Sequence, residues 1–432
     1  MSRLLSGKIH INKRPLPQLL TYYVFYMSFL IPALQGFFGL PSAIKYTIDV
    51  AWVMVTVLLF VRKELTLYKK IVPFLIFVGV FIAYTAIVYI FRFQSPFYYL
   101  WGFRNNFRFY FAFIAFCMLF VEDDAQICLK YMDILFWINA VVTFFQFFVM
   151  GYKQDYLGGI FGVERGCNGY SILFFSIVIS KSVLSFMNKK ENLFLCIAKC
   201  TVALIISAMA ELKFFFVLFM IILLISTVAT SFTWQKFLLV FVSALIISFA
   251  GSMLTEIFGE SSNISFERLL ELTFTQSYSS NEDLSRFTAI PTISNSIMTK
   301  NTQRLFGLGL GNCDTSSFEI CNTPFFNAYS HLHYNWFSSA FLFLETGIVG
   351  LSMYLFFYLM CFVCAFNLRN KDGVNKLYCQ MATIISVVCI LTTFYNCALR
   401  IEMGYMAFFV LALPLISVKP DIQYKRRLNI HS

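Results

Sequence analysis

Residues 284–301 read LSRFTAIPTISNSIMTKN, and residues 302–314 continue with TQRLFGLGLGNCD. A polar run that ends in YSHLHYNW, residues 329–336, leads into a long apolar segment that contains LETGIVGL, residues 344–351. This stretch belongs to the only long interruption in a nearly continuous series of apolar segments. Its polar side chains include two of the four histidines and three cations, namely His331, His333, Arg286, Lys300 and Arg304. We therefore expect the functional loop here, with the rest of the chain as its scaffold.

The chain around this stretch is strongly apolar. Of its 432 residues, 59% are hydrophobic and 13% are charged, with a mean hydropathy of +0.73. Soluble domains are about 45–50% apolar and about 25% charged. Segments of about 20 apolar residues recur, each long enough to cross a bilayer as a helix, and the alternating pattern of barrel strands is missing. The composition predicts an all-α polytopic membrane protein. The net charge of +11 does not suggest a nucleic-acid partner, because the basic residues lie in short clusters between apolar segments.

The apolar pattern predicts about twelve transmembrane helices. Their approximate ranges are 17–37, 44–61, 71–91, 109–121, 128–150, 169–187, 193–209, 212–230, 236–256, 336–366, 377–396 and 402–418. The chain would thus have nine helices with short loops over residues 1–256, a large loop over 257–334, three helices over 335–418 and a basic tail over 419–432. Within the large loop, residues 264–274 have an amphipathic pattern suited to the membrane interface.

An even number of spans places both termini on one side of the membrane. With both termini inside, the shorter inside segments carry more Lys and Arg than the outside segments, as the positive-inside rule requires. We therefore predict cytoplasmic termini and an outer location for the loops 151–168 and 257–334. A single long helix in place of the break at residues 210–213 would invert everything after it. Lys199 lies within the seventh segment, where we expect a partner to satisfy its charge.

Sequence signatures of nucleotide, metal and serine-hydrolase sites are missing. The pair His331 and His333 lacks carboxylates or thiolates at the spacing that zinc sites use. Outward-facing cations together with histidines fit an anionic substrate such as a phosphate or diphosphate, with a neutral imidazole as base. Cys313 and Cys321 both lie in the large loop and would be able to pair if it faced an oxidising compartment.

The order of the motifs resembles the O-antigen polymerase and O-antigen ligase superfamily. In that family, an outer loop carries an SR pair, a glycine-rich turn and a histidine, and the next span carries a Glu-Gly-Gly motif. The matching residues are Ser285, Arg286, Gly307, Gly309, Gly311, His331 or His333, Glu345, Gly347 and Gly350. Two upstream motifs also match, with Lys213 in AELK where the family usually has Arg, and with Arg165 and Asn168 in GGIFGVERGCNGY. The resemblance covers residues 150–360 in pieces.

The resemblance implies a polysaccharide polymerase for O-antigen, capsule or exopolysaccharide, with an architecture like that of class C glycosyltransferases. It would act in the bacterial cytoplasmic membrane and join undecaprenyl-diphosphate-linked repeat units on the outer face, without a metal or cofactor. The implied partners are the lipid-linked donor and acceptor, the lipid bilayer and a chain-length regulator protein. The implied catalytic residues are His333 or His331 together with Arg286, and the implied substrate-binding residues are Lys213, Arg165, Asn168, Arg304 and Arg400.

Other interpretations stay open from the sequence. An O-antigen ligase, which transfers glycan to lipid A, shares the motifs, and a flippase or transporter of lipid-linked glycans would share the many spans. Among the candidates, Arg165 would also be able to pair with Glu164, and Arg400 would be able to serve as a membrane anchor. Because a helix is expected to begin near the two histidines, only one of them should face the cations. We favour His333, because its spacing from Glu345 is nearer to that of the family histidine. Glu345, Gly347 and Gly350 are interpreted as helix-packing residues.

Overall fold

The computed structural model describes residues 15–61, 69–228, 234–258, 284–286, 288–315 and 322–418. Within these ranges the chain forms helices and their connections, without a β-strand. The amphipathic segment 264–274 and Cys321 lie outside the described residues. The α-helices are α1 Leu16–Phe38, α2 Tyr46–Val61, α3 Val72–Arg92, α4 Pro96–Leu119, α5 Glu122–Phe148, α6 Asn168–Met187, α7 Leu193–Met209, α8 Lys213–Val228, α9 Trp234–Phe258, α10 Ala289–Ser296, α11 Asn301–Phe306, α12 Pro324–Tyr329, α13 Ser338–Leu368, α14 Lys376–Tyr395 and α15 Met403–Ser417.

Six of these helices are long and apolar enough to cross a membrane, namely α1, α3, α5, α6, α13 and α14. The helices α7, α8 and α15 are apolar but shorter, and α9 contains an apolar segment, Phe241–Ser252. Large hydrophobic side chains such as Val80 and Val141 are exposed on the outer faces of α3 and α5. Exposed apolar faces on long apolar helices are expected where lipid replaces water. The described chain is therefore that of a helical membrane protein with several candidate spans.

Two helices begin earlier than their predicted apolar segments. α4 begins at Pro96 instead of near residue 109, since proline suits the first turn of a helix. Its polar residues Asn106 and Arg108 are buried against the rest of the bundle, so the helix passes through them. α5 begins at Glu122 instead of near 128, because its acidic first turn complements the helix dipole and Asp124 accepts the backbone N–H of Val121 at 2.9 Å.

The helices α6 and α15 form the centre of the bundle. Every residue of α15 from Met403 to Ile416 is buried, and most of α6 is buried too. α15 packs against α4, α14, α6 and α1. Aromatic rings fill this centre, including Phe408, which stacks on Phe357 of α13 at a centroid distance of 5.3 Å. The core is thus a packed aromatic interior around two central helices.

Successive helices alternate in direction, so that alternate connections meet. We call one end the loop end, because residues 284–337, as far as described, lie there with the connections 39–45, 93–95, 149–167, 210–212 and 396–402. Three hydrogen bonds join these segments: Arg92 Nη2 to the Thr302 carbonyl at 2.9 Å, Asn168 Nδ2 to the Ala210 carbonyl at 3.1 Å, and the Ser338 N–H to the Asn396 carbonyl at 3.1 Å. The loop end therefore gathers nearly all the residues singled out by the sequence.

The opposite end has its own polar contacts. Tyr22 donates its hydroxyl to Asp124 Oδ1 at 2.7 Å, and Asn375 Nδ2 donates to Glu122 Oε1 at 2.6 Å. Lys199 is buried in α7 with its Nζ 3.3 Å from Asp133 Oδ1 and 3.3 Å from Glu191 Oε1. The prediction of a partner for this lysine is therefore confirmed, because the carboxylates of Asp133 and Glu191 both pair with its charge. These ion pairs give Lys199 a structural role.

Candidate functional site

The long helix α13 is broken where the glycine-rich turn meets it. Gly347 has φ 64° and ψ −170°, a conformation that interrupts the helical hydrogen bonds. The backbone N–H of Leu308 donates to the carbonyl of Leu344 at 2.8 Å, and the N–H of Gly309 donates to the carbonyl of Glu345 at 3.0 Å. The turn thus supplies the donors that the broken helix lacks.

The other side of the glycine-rich turn rests on the first turns of α4. A Cβ atom on Gly102 would lie 2.6 Å from the Cα atom of Gly311, which itself has φ 83°. Gln94, just before α4, donates its side-chain amide to the carbonyl of Leu310. The glycines of this segment form a tight turn that packs between α4 and α13.

A buried pair of carboxyl groups lies beneath this turn. Glu345 is fully buried, with Oε1 3.4 Å from the backbone N–H of Cys313 and Oε2 3.5 Å from Asn106 Nδ2. Asp314 accepts Asn105 Nδ2 at 2.7 Å. Packing was the role that the sequence suggested for Glu345, yet its carboxyl group has polar partners and shares its surroundings with Asp314. These contacts fix the chain that leaves the glycine-rich turn.

Arg400 faces this carboxyl pair from the connection between α14 and α15. Its Nη2 is 4.0 Å from Asp314 Oδ2, and its guanidinium carbon is 3.2 Å from the centroid of the Phe341 ring. Its backbone carbonyl accepts Arg108 Nη2 at 2.9 Å, and Arg108 Nη1 lies 3.7 Å from Glu402 Oε1. Arg400 is therefore a partly buried member of an ion network and does more than anchor a span.

A second cluster forms around the aromatic ring of Tyr395 at the end of α14. Arg286 Nε donates to the Tyr395 carbonyl at 3.2 Å, and its guanidinium carbon lies 3.8 Å from the ring centroid. Phe214 stacks on the same ring at 3.9 Å with an interplanar angle of 8°. Arg286 and Phe214 cannot both stack on the same face of the Tyr395 ring at these distances, so the ring lies between them.

Burial lowers the pKa of Arg286, while the charges of Tyr395 and Asp155 act in the opposite direction. Its guanidinium still carries a positive charge, because an arginine in a protein is not deprotonated at ordinary pH. Asp155 also accepts Asn168 Nδ2 at 3.2 Å, which brings the predicted residues Arg286 and Asn168 to the same acidic group. The SR motif and the upstream GGIFGVERGCNGY motif therefore converge at the loop end.

The two histidines lie on short 3-10 turns, not at the start of an α-helix. His331 belongs to the turn Ser330–Leu332, and His333 has φ 51° between that turn and the next, Tyr334–Trp336. The prediction of a helix beginning here is wrong, because α13 starts only at Ser338. His331 is exposed, whereas His333 is partly buried and stacks on Trp336 at 4.0 Å.

One backbone hydrogen bond joins the histidine segment to the SR motif. The N–H of Leu284 donates to the carbonyl of Leu332 at 3.4 Å. Leu284 is two residues before Arg286, and Leu332 directly precedes His333. Nearby, Tyr334 donates its hydroxyl to the carbonyl of Cys313 at 2.5 Å. Burial raises the pKa of the Cys313 thiol well above its ordinary value, so this thiol stays protonated.

The remaining predicted cations differ in their surroundings. Lys213 begins α8 beside Phe214, and its Nζ lies 3.2 Å from Glu211 Oε1. Arg165 is exposed on the 149–167 connection. Arg304 Nε donates to the carbonyls of Ser294 at 3.0 Å and Met298 at 2.9 Å. The Ser294 carbonyl lies in the last turn of α10 and the Met298 carbonyl lies two residues after its end, so Arg304 caps this helix end. Its predicted contact with substrate stays a prediction.

The structure thus assembles two adjoining clusters from the sequence candidates. Arg286, Asn168 and Lys213 surround the Tyr395 region with the His333 segment beside them, while Arg400 belongs to the carboxyl cluster. The sequence analysis missed several members of the carboxyl cluster, namely Asp314, Asn105, Asn106, Arg108 and Glu402. The sequence signal for Asn105, Asn106 and Arg108 was the polar run RNNFR inside an aromatic segment, which had no motif to identify it.

Groups of three or more His, Cys, Asp or Glu that could hold a metal ion do not occur among the described residues. No known protein family matches the chain, and no characterised protein and no solved structure is similar enough to count as a match. Arg286 and Lys213 are cations that can each bind an anion, and the hydrogen bond between Leu284 and Leu332 joins the Arg286 segment to the histidine segment. Cations and an imidazole are the groups that a transfer with an anionic leaving group needs.

Proposed function

We propose that this protein is a polysaccharide polymerase that joins undecaprenyl-diphosphate-linked repeat units on the outer face of a bacterial cytoplasmic membrane. In this proposal the chain crosses the membrane twelve times, with both termini in the cytoplasm and the loop end outside. The order of the sequence motifs supports it, together with the convergence of those motifs at one end of the bundle. The glycan would be an O-antigen, a capsule or an exopolysaccharide.

The observation that carries the proposal is the hydrogen bond between Leu284 and Leu332. It holds the SR segment and the histidine segment side by side, although almost 50 residues separate them in the chain. A base and an anion-binding cation must lie near each other for a transfer to a hydroxyl acceptor with a diphosphate leaving group. The hydrogen bond supports such proximity, because it joins the segments that carry His333 and Arg286.

The proposed reaction balances without a metal or a cofactor. The acceptor hydroxyl oxygen attacks the anomeric carbon of the donor sugar, and a new C–O bond forms while the bond to the lipid diphosphate breaks. The hydroxyl proton goes to the imidazole of His333, or of His331 in the alternative assignment. Arg286 and Lys213 stabilise the charge that grows on the departing diphosphate, with Asn168, Arg165 and Arg400 contributing to binding.

The test is the replacement Arg286→Ala in a strain that lacks the native gene, with glycan chain length read on a gel. We expect polymer to disappear while the membrane level of the protein stays normal. Arg286→Lys should also be poor, because lysine cannot reproduce a forked guanidinium contact. The matched control is Arg369→Ala, whose guanidinium carbon lies 3.9 Å from the ring of Phe366, in the same kind of stacking contact but at the opposite end. Full-length polymer from Arg286→Ala would exclude this residue from the reaction.

The product separates the polymerase from its closest alternatives. If the protein were a ligase, a strain that lacks it would still make lipid-linked polymer but would not attach that polymer to lipid A. If the protein were a flippase, a strain that lacks it would accumulate single repeat units on the cytoplasmic face. Accumulation of single repeat units on the outer face is the outcome that the polymerase proposal requires.

A further inference from the structure

The ring of Tyr395, the last residue of α14, lies between two groups from distant parts of the chain. On one face, the guanidinium carbon of Arg286 lies 3.8 Å from the ring centroid. On the other face, the ring of Phe214 stacks at a centroid distance of 3.9 Å. All three side chains are partly exposed at the loop end. They form one continuous stack of three planar groups with a cation at one end, which we call the Tyr395 stack.

The two rings of this stack lie closer and more nearly parallel than aromatic packing alone favours. The planes of Phe214 and Tyr395 differ by only 8°. Aromatic pairs prefer offset or edge-to-face arrangements with centroids about 4.5–7 Å apart, because their electron-rich faces repel each other. A cation on the far face of Tyr395 draws the π electrons towards itself and lessens that repulsion. Arg286 and Phe214 therefore stabilise each other's contact with the ring.

The end of the stack opposite Arg286 leads to the second cation of the proposed reaction. Phe214 directly follows Lys213, the first residue of α8. The turn before Lys213 is held by a backbone hydrogen bond, in which the N–H of Leu212 donates to the carbonyl of Ser207 at 2.8 Å. Because this turn is fixed, a displacement of the ring that separates Phe214 from Arg286 changes the distance between the two cations.

Arg286 contacts both the backbone and the ring of Tyr395. Its Nε donates to the Tyr395 carbonyl at 3.2 Å, a contact that any residue at this position would provide. One hydrogen bond leaves the planar guanidinium able to turn about that bond, whereas a contact with the face of a ring fixes its plane. The direction of the forked N–H groups, on which recognition of a phosphate by arginine depends, is thus set by the side chain at position 395.

We propose that Tyr395 is a positioning residue, whose ring orients the Arg286 guanidinium and, through Phe214, sets its distance from Lys213. The inference rests on the proposed function for the chemistry of the two cations, and on the geometry of the stack for their placement. A residue that orients cations towards a charge that grows in the transition state affects turnover more than it affects the binding of substrate.

The test separates the ring from the carbonyl of the same residue. The purified full-length protein is assayed with the lipid-linked repeat units that a strain lacking it accumulates. Tyr395→Leu keeps the carbonyl and removes the ring, so kcat should fall by up to about 100-fold while KM changes little. Tyr395→Phe keeps the ring and should retain most of the turnover. The matched control is Phe366→Leu, which removes the ring 3.9 Å from the guanidinium carbon of Arg369 at the opposite end and should change neither constant.

A second variant tests whether the stack acts as one unit. Phe214→Leu should also lower kcat, because the Tyr395 ring loses its support. The double variant Phe214→Leu/Tyr395→Leu should be no slower than Tyr395→Leu, since both changes act through the same ring. Losses that multiply would show two independent contacts and would overturn the stack as the device that spaces the cations. A lower melting temperature of Tyr395→Leu with normal kcat per folded molecule would leave the ring a purely structural role and would also overturn the inference.

Binding of inorganic pyrophosphate, measured by calorimetry without turnover, distinguishes this inference from the proposed function. Tyr395→Leu should weaken that binding by about tenfold, as for loss of one charged hydrogen bond. If Tyr395→Leu binds pyrophosphate and turns over normally while Arg286→Ala abolishes polymer, the positioning role is wrong and the proposed reaction stands. If Tyr395→Leu weakens pyrophosphate binding while Arg286→Ala makes full polymer, the positioning role stands and the proposed reaction falls.

Discussion

Gly307 and Gly347 pack backbone against backbone across the break in α13. A Cβ atom on Gly347 would lie 2.6 Å from the backbone nitrogen of Gly307, and both residues have a positive φ, of 64° and 78°. Side chains do not reach such backbone positions without displacing the neighbouring chain. The contact therefore depends on two glycines that lie 40 positions apart in the sequence.

Gly347→Ala should destabilise the protein by about 1–3 kcal/mol, since it adds strain at a positive φ and a clash with Gly307. The measurement is thermal unfolding of the purified protein in detergent. Gly79→Ala is the matched control, because Gly79 lies within α3 with no atom inside 4 Å of its added Cβ. There we expect no loss, and a gain of up to about 1 kcal/mol. Equal stability of the two variants would contradict the described packing.

Arg304→Ala should lower stability by about 1 kcal/mol, because two carbonyls at the end of α10 lose their donor. Polymer formed per folded molecule should stay close to that of the unchanged protein. Chain length on a gel, normalised to the amount of folded protein, checks this. A stable Arg304→Ala variant that makes no polymer would contradict a purely structural role and would support a contact of Arg304 with substrate.

His333→Asn should lose polymerisation by about 10²–10⁴-fold, the range for removal of a general base. Asparagine suits this replacement because it tolerates the left-handed backbone found at φ 51°, so the backbone is kept while the base is removed. His331→Ala, at the exposed neighbour, should retain most activity. If His331→Ala is the inactive variant, the assignment of the base moves to His331. Normal polymer from both variants and from the double variant would end the histidine-base mechanism.

Tyr156→Cys and Asp372→Cys test the orientation of the bundle. Both positions are exposed, the first on the 149–167 connection and the second between α13 and α14. A membrane-impermeant thiol reagent added to whole cells should label position 156 and leave position 372 unlabelled, because the basic connections are expected in the cytoplasm. The reverse pattern would place the loop end in the cytoplasm and remove the proposed reaction from the outer face.

Apolar periodicity was sufficient to predict where most of the helices lie, because each needs a run of apolar residues whatever its neighbours are. It failed at the start of α4, where Asn106 and Arg108 look like a polar connection. Their side chains have polar partners in Glu345, Arg400 and Glu402, which are distant in sequence. Local patterns cannot reveal such partners.

The sequence was sufficient to identify several residues of the candidate site, but it did not predict which contacts each of them makes. The order of motifs identified Arg286 and Asn168, which the structure brings to Asp155. The capping contacts of Arg304 depend on where α10 ends, and the carboxyl cluster depends on the path of the chain after Gly311. Those features arise from tertiary packing, so a sequence motif gave them no distinct signal.

The hydrogen-bonded contact between the glycine-rich turn, at Leu308 and Gly309, and the broken helix α13 has a consequence for protein engineering and for evolution. Because the N–H groups of Leu308 and Gly309 complete the hydrogen bonding of α13, the large loop is not a cassette that can be exchanged alone. A chimaera that takes this loop from another protein must take the matching half of α13 with it. Substitutions in the glycine-rich turn should be accompanied by substitutions in the part of α13 that it contacts, so the two segments would diverge together.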